Sequence, residues 1–329
     1  MNVLVAGGAG YIGSHTIKRL KEAGHSPVIY DNVSRGHKQV IDILKVPGVV
    51  ADLGDKIRLV ETLRKYKIDT VMHFAAYAYV GESVERPLMY YHNNVGVTIG
   101  VLEAMKEAGV ERFVFSSSCA TYGNPDRLPI TEDEKKAPVS PYGRSKLMVE
   151  QILADAMLGN KNFKFAALRY FNASGCAMDG SLGEDHDPET HLIPVILQAI
   201  MGLRRGITVF GTDYPTPDGT NIRDYIHVED LCAAHIAAME AQRPGDARFY
   251  NLGIGRGYSV REVLDAARRV TGLEIPVEYG LRRPGDPAVL YADASKIRRE
   301  LCWSAQYTEI DPIVATAWAW FKNHPHGYK

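Results

Sequence analysis

The sequence predicts an α/β protein: a Rossmann-type, doubly wound parallel sheet with a smaller, interleaved α/β domain. Three observations predict it. An apolar N-terminal run turns at once into a glycine-rich loop that opens an amphipathic helix. Strand and helix patterns then alternate as far as about residue 170. After Phe171-Asn172-Ala173-Ser174-Gly175 that alternation stops and a polar loop begins.

In order, residues 2–6 read as a short buried strand, and Gly7-Gly8-Ala9-Gly10-Tyr11-Ile12-Gly13 follows directly. Glycines at 7, 10 and 13 permit a tight turn whose backbone can approach a pyrophosphate at the start of a helix over 14–23. A second strand, 26–30, ends in Asp31-Asn32. A carboxylate there accepts bonds from ribose hydroxyls and repels a 2′-phosphate, which favours NAD over NADP. Arg35, close behind, leaves the phosphate alternative open.

A third strand is predicted over 48–53, with Asp52 and Leu53 placed to meet an adenine, and a helix over 56–66. The fourth strand, 70–76, ends in Phe74-Ala75-Ala76, small enough at its tip for a ribose or phosphate to lie against it. Asn93-Asn94 falls in a helical run after Pro87. A fifth strand, 112–116, leads into Ser116-Ser117-Ser118-Cys119. Ligands of open α/β sheets bind beyond the carboxyl ends of strands, so these hydroxyls face the site.

The next helix begins Pro141-Tyr142-Gly143-Arg144-Ser145-Lys146. Tyr142 and Lys146, four residues apart, lie one turn apart on one helix face. A tyrosine ordinarily ionises near pH ~10, and a neighbouring ammonium favours the phenolate, so the pair forms a proton acceptor. Ser118 stands ready to share the bonded oxygen.

Composition narrows the partners. The 329 residues are 46% hydrophobic and 23% charged, with a formal net charge of −1, ordinary for a globular protein and giving no reason to expect nucleic acid or an anionic membrane. Four scattered cysteines and the lack of a basic leader or long apolar run suit a cytoplasmic protein.

In the second part, 192–202 reads as a helix, and Thr208-Val209-Phe210 as a strand whose aromatic can stack a flat base. Arg223 and Arg283 suit bidentate contacts to a diphosphate. Residues 224–228 and a helix over 229–241 look like a return to the first sheet. The expected division is 1–173, with about 222–250 returning to it, as the cofactor domain, and 174–221 with 251–329 as the substrate domain. The loop 180–191 carries Glu184, Asp185, His186, Asp187, Glu189 and His191, but its spacing fits no fixed ligand template. A solvated loop over the substrate, with no metal, is the expectation.

The glycine loop, Asp31, the serine run and Tyr142-x-x-x-Lys146 together resemble the extended short-chain dehydrogenase/reductase superfamily. Within it the chain is similar to the UDP-glucose (UDP-galactose) 4-epimerase family, through His73-Phe74-Ala75-Ala76, Tyr90-Tyr91-His92-Asn93-Asn94, Leu168-Arg169-Tyr170-Phe171-Asn172, Arg223-Asp224-Tyr225-Ile226-His227 and the tail His324-Pro325-His326-Gly327-Tyr328. The resemblance implies Ser118, Tyr142 and Lys146 as the catalytic set. It implies NAD held by Gly7, Gly10, Tyr11, Ile12, Gly13, Asp31, Asn32, Asp52, Leu53, Phe74, Ala75, Ala76, Asn93, Ser116, Tyr142, Lys146 and Tyr170. It places the UDP-sugar against Ser118, Tyr142, Asn172, His191, Leu192, Phe210, Arg223, Arg283, Asp286 and Leu290, and it implies a homodimer. Ala78 stands where relatives commonly carry a lysine, His191 where many carry asparagine, and Leu290 where a tyrosine walls off the hexose pocket. Pentose-type (UDP-xylose/UDP-arabinose) and N-acetylhexosamine 4-epimerases therefore remain alternatives for the sugar. A dehydratase reading is disfavoured, because Cys119 and Ala120 replace the Asp and Glu that elimination would need.

Overall fold

The computed structural model describes residues 1–283 and 286–329. The chain begins β1 (Asn2–Ala6), α1 (Tyr11–Glu22), β2 (Ser26–Asp31), α2 (Lys38–Leu44), β3 (Gly48–Val50), α3 (Lys56–Lys65) and β4 (Thr70–His73). It continues through α4 (Val80–Glu85), α5 (Pro87–Tyr91), a π-turn (His92–Gly96), α6 (Val97–Ala108), β5 (Arg112–Ser118), α7 (Pro141–Gly159), β6 (Lys164–Tyr170) and β7 (Asn172–Ser174). Then come α8 (Leu192–Ile200), β8 (Ile207–Phe210), β9 (Ile222–Arg223), β10 (Tyr225–His227), α9 (Val228–Ala241) and β11 (Ala247–Leu252). The remainder is β12 (Tyr258–Ser259), α10 (Val260–Thr271), β13 (Val277–Gly280), β14 (Val289–Leu290), α11 (Ser295–Leu301) and α12 (Ile310–Asn323).

Seven strands form one parallel sheet in the order β11-β6-β5-β4-β1-β2-β3. The order reverses between β1 and β4, so a crevice opens beyond their carboxyl ends, at Gly7 and Phe74. Alternation along the strands feeds two cores: Val3 and Val5 face the side covered by α1 and α9, whereas Leu4 and Ala6 face the side of α3, α6 and α7. Small sheets assemble the rest. β7 pairs with β10, β9 lies between β12 and β14, and β8 pairs with β13.

Some boundaries differ from the sequence expectation, each for a visible reason. β3 stops at Val50 instead of running to 53, because Asp52 turns the chain, accepting from the Gly54 N–H at 2.7 Å. β4 ends at His73, so Phe74-Ala75-Ala76 is a loop. β5 extends through Ser118, held by its register with β6 as far as Tyr170. Among the described residues no helix is long and apolar enough to cross a membrane.

Helix α7 is bound to the sheet by buried polar contacts as well as by Val149 and Leu153. Glu150 accepts from Ser117 Oγ at 2.6 Å and makes a two-pronged pair with Arg169, at 2.9 Å from Nε and 2.6 Å from a terminal nitrogen. Arg169 reaches on to Tyr122 Oη at 2.8 Å, and Tyr122 donates to Asn251 at 2.6 Å. Both ion-pair side chains are buried, so removing one charge strands the other. Glu150→Gln should lower unfolding free energy by about 3–5 kcal/mol, read from urea titration. A loss under about 1 kcal/mol, typical of an exposed pair, would contradict that assignment.

Candidate active site

The glycine loop leaves β1 with Gly7 at φ 80°. A Cβ on Gly7 would come within 2.6 Å of Ala75 N, and one on Gly13 within 2.1 Å of Gly7 O, so the fold itself requires both glycines. Gly10 is different. A Cβ there would meet only Gly7 O, at 3.4 Å, so its smallness leaves room for something laid on the loop. Gly10 also precedes α1 without any side-chain cap, so the first-turn N–H groups at Tyr11, Ile12 and Gly13 point toward that space.

Asp31 ends β2 beside this loop. Its carboxylate accepts from the Ala9 N–H at 2.9 Å and the Val33 N–H at 2.8 Å, thereby fixing the loop as well as facing it. Burial raises its pKa, against those two bonds. Asn32 donates to Asp52 at 2.7 Å, which joins the ends of β2 and β3, and Leu53 is buried behind them. Arg35 is already committed. It pairs with Glu82 at 2.9 Å and lies 5.5 and 5.4 Å from the ring centres of Tyr77 and Tyr79. It is therefore not a free cation for a 2′-phosphate.

Across the crevice, β5 and the start of α7 bring Ser116, Ser118, Tyr142 and Lys146 together. Ser140 caps α7, accepting from the Gly143 N–H at 3.1 Å, and Pro141 occupies the first turn. Lys146 donates to the Ser116 carbonyl at 2.7 Å and lies 4.9 Å from the Phe115 ring centre and 5.8 Å from that of Tyr142. Ser116 Oγ is 2.5 Å from Tyr170 Oη, so the tip of β6 is tied to the same point. Burial pushes Tyr142 up to about 12, with Ser118 pulling it back. Burial pushes Lys146 down to about 7, with Glu150 opposing that fall.

In this enclosure Tyr142 holds its proton at neutral pH, while Lys146 is about half-protonated there. Two supports were not anticipated from the sequence. Asn94, buried on the π-turn, clips the Tyr77 backbone (2.9 and 3.0 Å) to Ser145 of α7 (3.1 Å), whereas the expected Asn93 only donates to Asn94 at 2.9 Å. Glu150, one turn beyond Lys146, supplies the opposing charge. The adjacent Asn-Asn pair was the only local sign of the former.

In the second part of the chain, Asn172, Phe210, Arg223 and Leu290 lie on its short strands. Arg223 pairs with Asp286, not with the adjacent Asp224, and also donates to the Pro287 carbonyl at 2.7 Å. Asn221 donates to the other Asp286 oxygen at 2.8 Å. Asp224 instead is buried among backbone N–H groups of Ile254 (3.0 Å) and Ala292 (3.1 Å), and burial raises it to about 7. Arg283 lies 4.1 Å from the ring centre of the partly exposed Phe210. Asn172 opens β7, and Leu290 packs with Cys119 against Tyr122, Ile130, Phe171 and Ala292.

The loop before α8 is not the solvated segment expected. Glu184 and Glu189 are buried, and both face His186 and His191, the residue directly before Leu192. Tyr328 of the tail fastens this loop, its Oη accepting from the Gly183 N–H at 2.8 Å and its N–H donating to Asp185 at 3.0 Å.

A family model, described as the NAD dependent epimerase/dehydratase family, matches residues 3–253. The chain belongs to this family. It is 48% identical to a UDP-glucose 4-epimerase of Lacticaseibacillus casei, over 100% of this chain and 99% of that protein. It is 45% identical to a probable UDP-arabinose 4-epimerase of Oryza sativa subsp. japonica, over 99% of this chain and 84% of that protein. Its fold superposes with a TM-score of 0.95 on the UDP-glucose 4-epimerase of Bifidobacterium longum solved with NAD+ and UDP, at 39% identity and 99% and 100% coverage.

The residues present fit the cofactor of an NAD dependent epimerase/dehydratase. The space over Gly10, the uncapped start of α1 and the carboxylate of Asp31 suit a dinucleotide's pyrophosphate and ribose. Lys146 carries a testable consequence of its burial. Unfolded, a lysine keeps its proton up to about pH 10.4; folded, Lys146 keeps it only below about 7. Between those values the unfolded chain holds more protons, so this group's contribution to stability rises with pH through that window. Lys146→Met should therefore melt above the unaltered protein near pH ~7, with the gap closing toward pH ~10. Melting of cofactor-free protein across that range checks it, and a pH-independent gap would contradict the burial argument.

Proposed function

We propose that the chain is an NAD-dependent 4-epimerase of UDP-sugars, acting on UDP-glucose and UDP-galactose. The observation that carries this reading is the enclosed Ser118, Tyr142 and Lys146 set at the carboxyl end of β5, in the sheet whose β1 opens into the glycine loop, in a chain nearly half identical to a UDP-glucose 4-epimerase along its whole length. Residues 1–173, with about 222–250, hold NAD, and 174–221 with 251–329 hold the UDP-sugar. NAD, when bound, takes a hydride from sugar carbon 4, returns it to the opposite face, and carries positive charge into the site.

The chain's own residues handle the proton and the handle. Tyr142 Oη takes the proton of the 4-hydroxyl as its C4–H bond breaks, leaving a 4-keto sugar, and gives the proton back when that bond re-forms. Ser118 shares the sugar oxygen and lowers the cost of the phenolate. Lys146, half-titrated near neutrality, supplies positive charge as the tyrosine ionises. Arg223 and Arg283 hold the diphosphate while the keto ring turns over; few contacts to the ring are needed.

Elimination chemistry is disfavoured on this scaffold. Cys119, where a dehydratase would need an acid, has its thiol pushed up to about 12 by burial, and Ala120 has no titratable group. For the sugar, Leu290 beside Cys119 leaves a pocket wall of modest size, consistent with the UDP-arabinose relative as a second reading. The chain works as a homodimer in the cytoplasm, in galactose metabolism. Val84 and Leu88, 63% and 80% exposed on α4 and α5, give an apolar face for the second copy. Sedimentation at the single-chain mass of 36.4 kDa would exclude the dimer.

Tyr142→Phe should lower kcat for interconversion of UDP-glucose and UDP-galactose by about 10²–10⁴-fold, with KM changed far less. The same assay with UDP-xylose, UDP-arabinose and UDP-N-acetylglucosamine ranks the sugars. A Tyr142→Phe protein within about tenfold of full rate would overturn the role of the tyrosine.

A further inference from the structure

The loop between Gly180 and α8 holds a cluster in which Glu184, His186 and Glu189 have no task in the proposed reaction. Glu184, His186, Glu189 and His191 each send one donor atom into a space where all four atoms lie within 4.8 Å of one another. Nδ1 of His191 is 2.9 Å from Glu184 Oε1 and 3.0 Å from Glu189 Oε1. Nδ1 of His186 is 3.3 Å from Glu184 Oε1 and 3.5 Å from Glu189 Oε2.

Distances alone would suit ion pairs; except for His191 Nδ1 with Glu189 Oε1, directions do not. Glu184 Oε1, Glu189 Oε2 and His186 Nδ1 are all buried without a hydrogen-bond partner, despite lying this close to groups of opposite character. Glu184 and Glu189 are only 3% and 8% exposed, so water does not satisfy them. A buried polar atom left unpaired costs about 1–3 kcal/mol, more when charged. Only His191 Nδ1 and Glu189 Oε1 are hydrogen-bonded to each other, at 3.0 Å; the three unpaired atoms converge on the same space as ligands around an ion do.

We propose that Glu184, His186, Glu189 and His191 bind one divalent transition ion of the zinc class. Ligands about 2.0–2.1 Å from a tetrahedral ion stand about 3.3 Å apart. The four imidazole–carboxylate separations, 2.9 to 3.5 Å, lie around that edge, and one atom from each residue falls within 4.8 Å of the others. Two imidazoles with two carboxylates suit zinc; magnesium and calcium take oxygen ligands alone, and cluster iron takes thiolates. The dication also balances two buried carboxylates that face the two histidines, Glu189 Oε1 accepting besides from the Thr190 and His191 N–H groups at 2.8 Å.

With four protein ligands the site is closed, so its role is structural. His186 lies edge-on to Tyr11, the first residue of α1, with ring centres 6.0 Å apart, and His191 leads directly into α8. The ion thus joins the substrate-side loop to the start of the glycine-loop helix. The loop is already braced for this by Tyr328 at Gly183 and Asp185 and by His37, whose Nε2 is 2.7 Å from the Asp185 carbonyl.

The test counts metal in the full-length protein with its cofactor, independently of activity. After equilibration with zinc and dialysis against metal-free buffer, atomic emission should find about one zinc per chain. Cobalt in its place should give the intense visible absorption of a tetrahedral centre. The E184Q/H186A protein should retain less than about a tenth of an equivalent, whereas His326→Ala, in the exposed tail, should keep all of it. Unaltered protein that holds less than about a tenth of an equivalent, or an E184Q/H186A protein that keeps a full one, would overturn the proposal. Should the double variant fail to fold, the cobalt spectrum of the unaltered protein decides alone: tetrahedral absorption supports the site, its absence refutes it.

Discussion

Helix α7 is fastened to the carboxyl end of β5 by buried polar contacts, and the active site depends on that docking. Lys146 donates to the Ser116 carbonyl, Glu150 takes the Ser117 hydroxyl, and Arg169 of β6 neutralises Glu150. These contacts place Tyr142 at the strand tips beside Ser118. They also bury it deeply enough to raise its pKa to about 12 while lowering Lys146 to about 7. A site built this way holds its proton until positive charge arrives. In the proposed reaction, the positive charge of NAD would favour release of that proton.

The crevice follows from topology. Because the strand order reverses between β1 and β4, the Gly7 and Phe74 loops diverge from adjacent strands and leave a gap. Gly7 and Gly13 serve the packing of that gap, and Gly10 serves what enters it. Asp31 performs two tasks there, holding Ala9 through one oxygen and keeping acceptor capacity for a ribose. In the proposed reading a single carboxylate couples the loop's shape to its selectivity.

Much of this was legible in the sequence because it rests on local pattern. The strand before the glycines, the Asp at the next strand end and the Tyr/Lys spacing each concern neighbours in the chain, and each lies close to its expected boundary. Long-range pairing was not legible. Nothing near Arg223 in sequence points to Asp286, 63 residues on. Arg35 could be read as a phosphate ligand until Glu82 and two tyrosines were seen to hold it. The loop at 184–191 looked solvated because six of its residues carry charge or imidazole. Burial, set by Trp320 and Tyr328 from the far end of the chain, turned it into an enclosed cluster.

The central claim is that carbon 4 is oxidised and re-reduced by one hydride that never leaves the site. It is tested most directly with UDP-galactose bearing deuterium at carbon 4, in ordinary water. The account predicts that the UDP-glucose formed keeps the deuterium at carbon 4, with no hydrogen drawn from solvent. Loss of the label to water would contradict it, since the reaction would then exchange a proton at that carbon in place of returning a hydride.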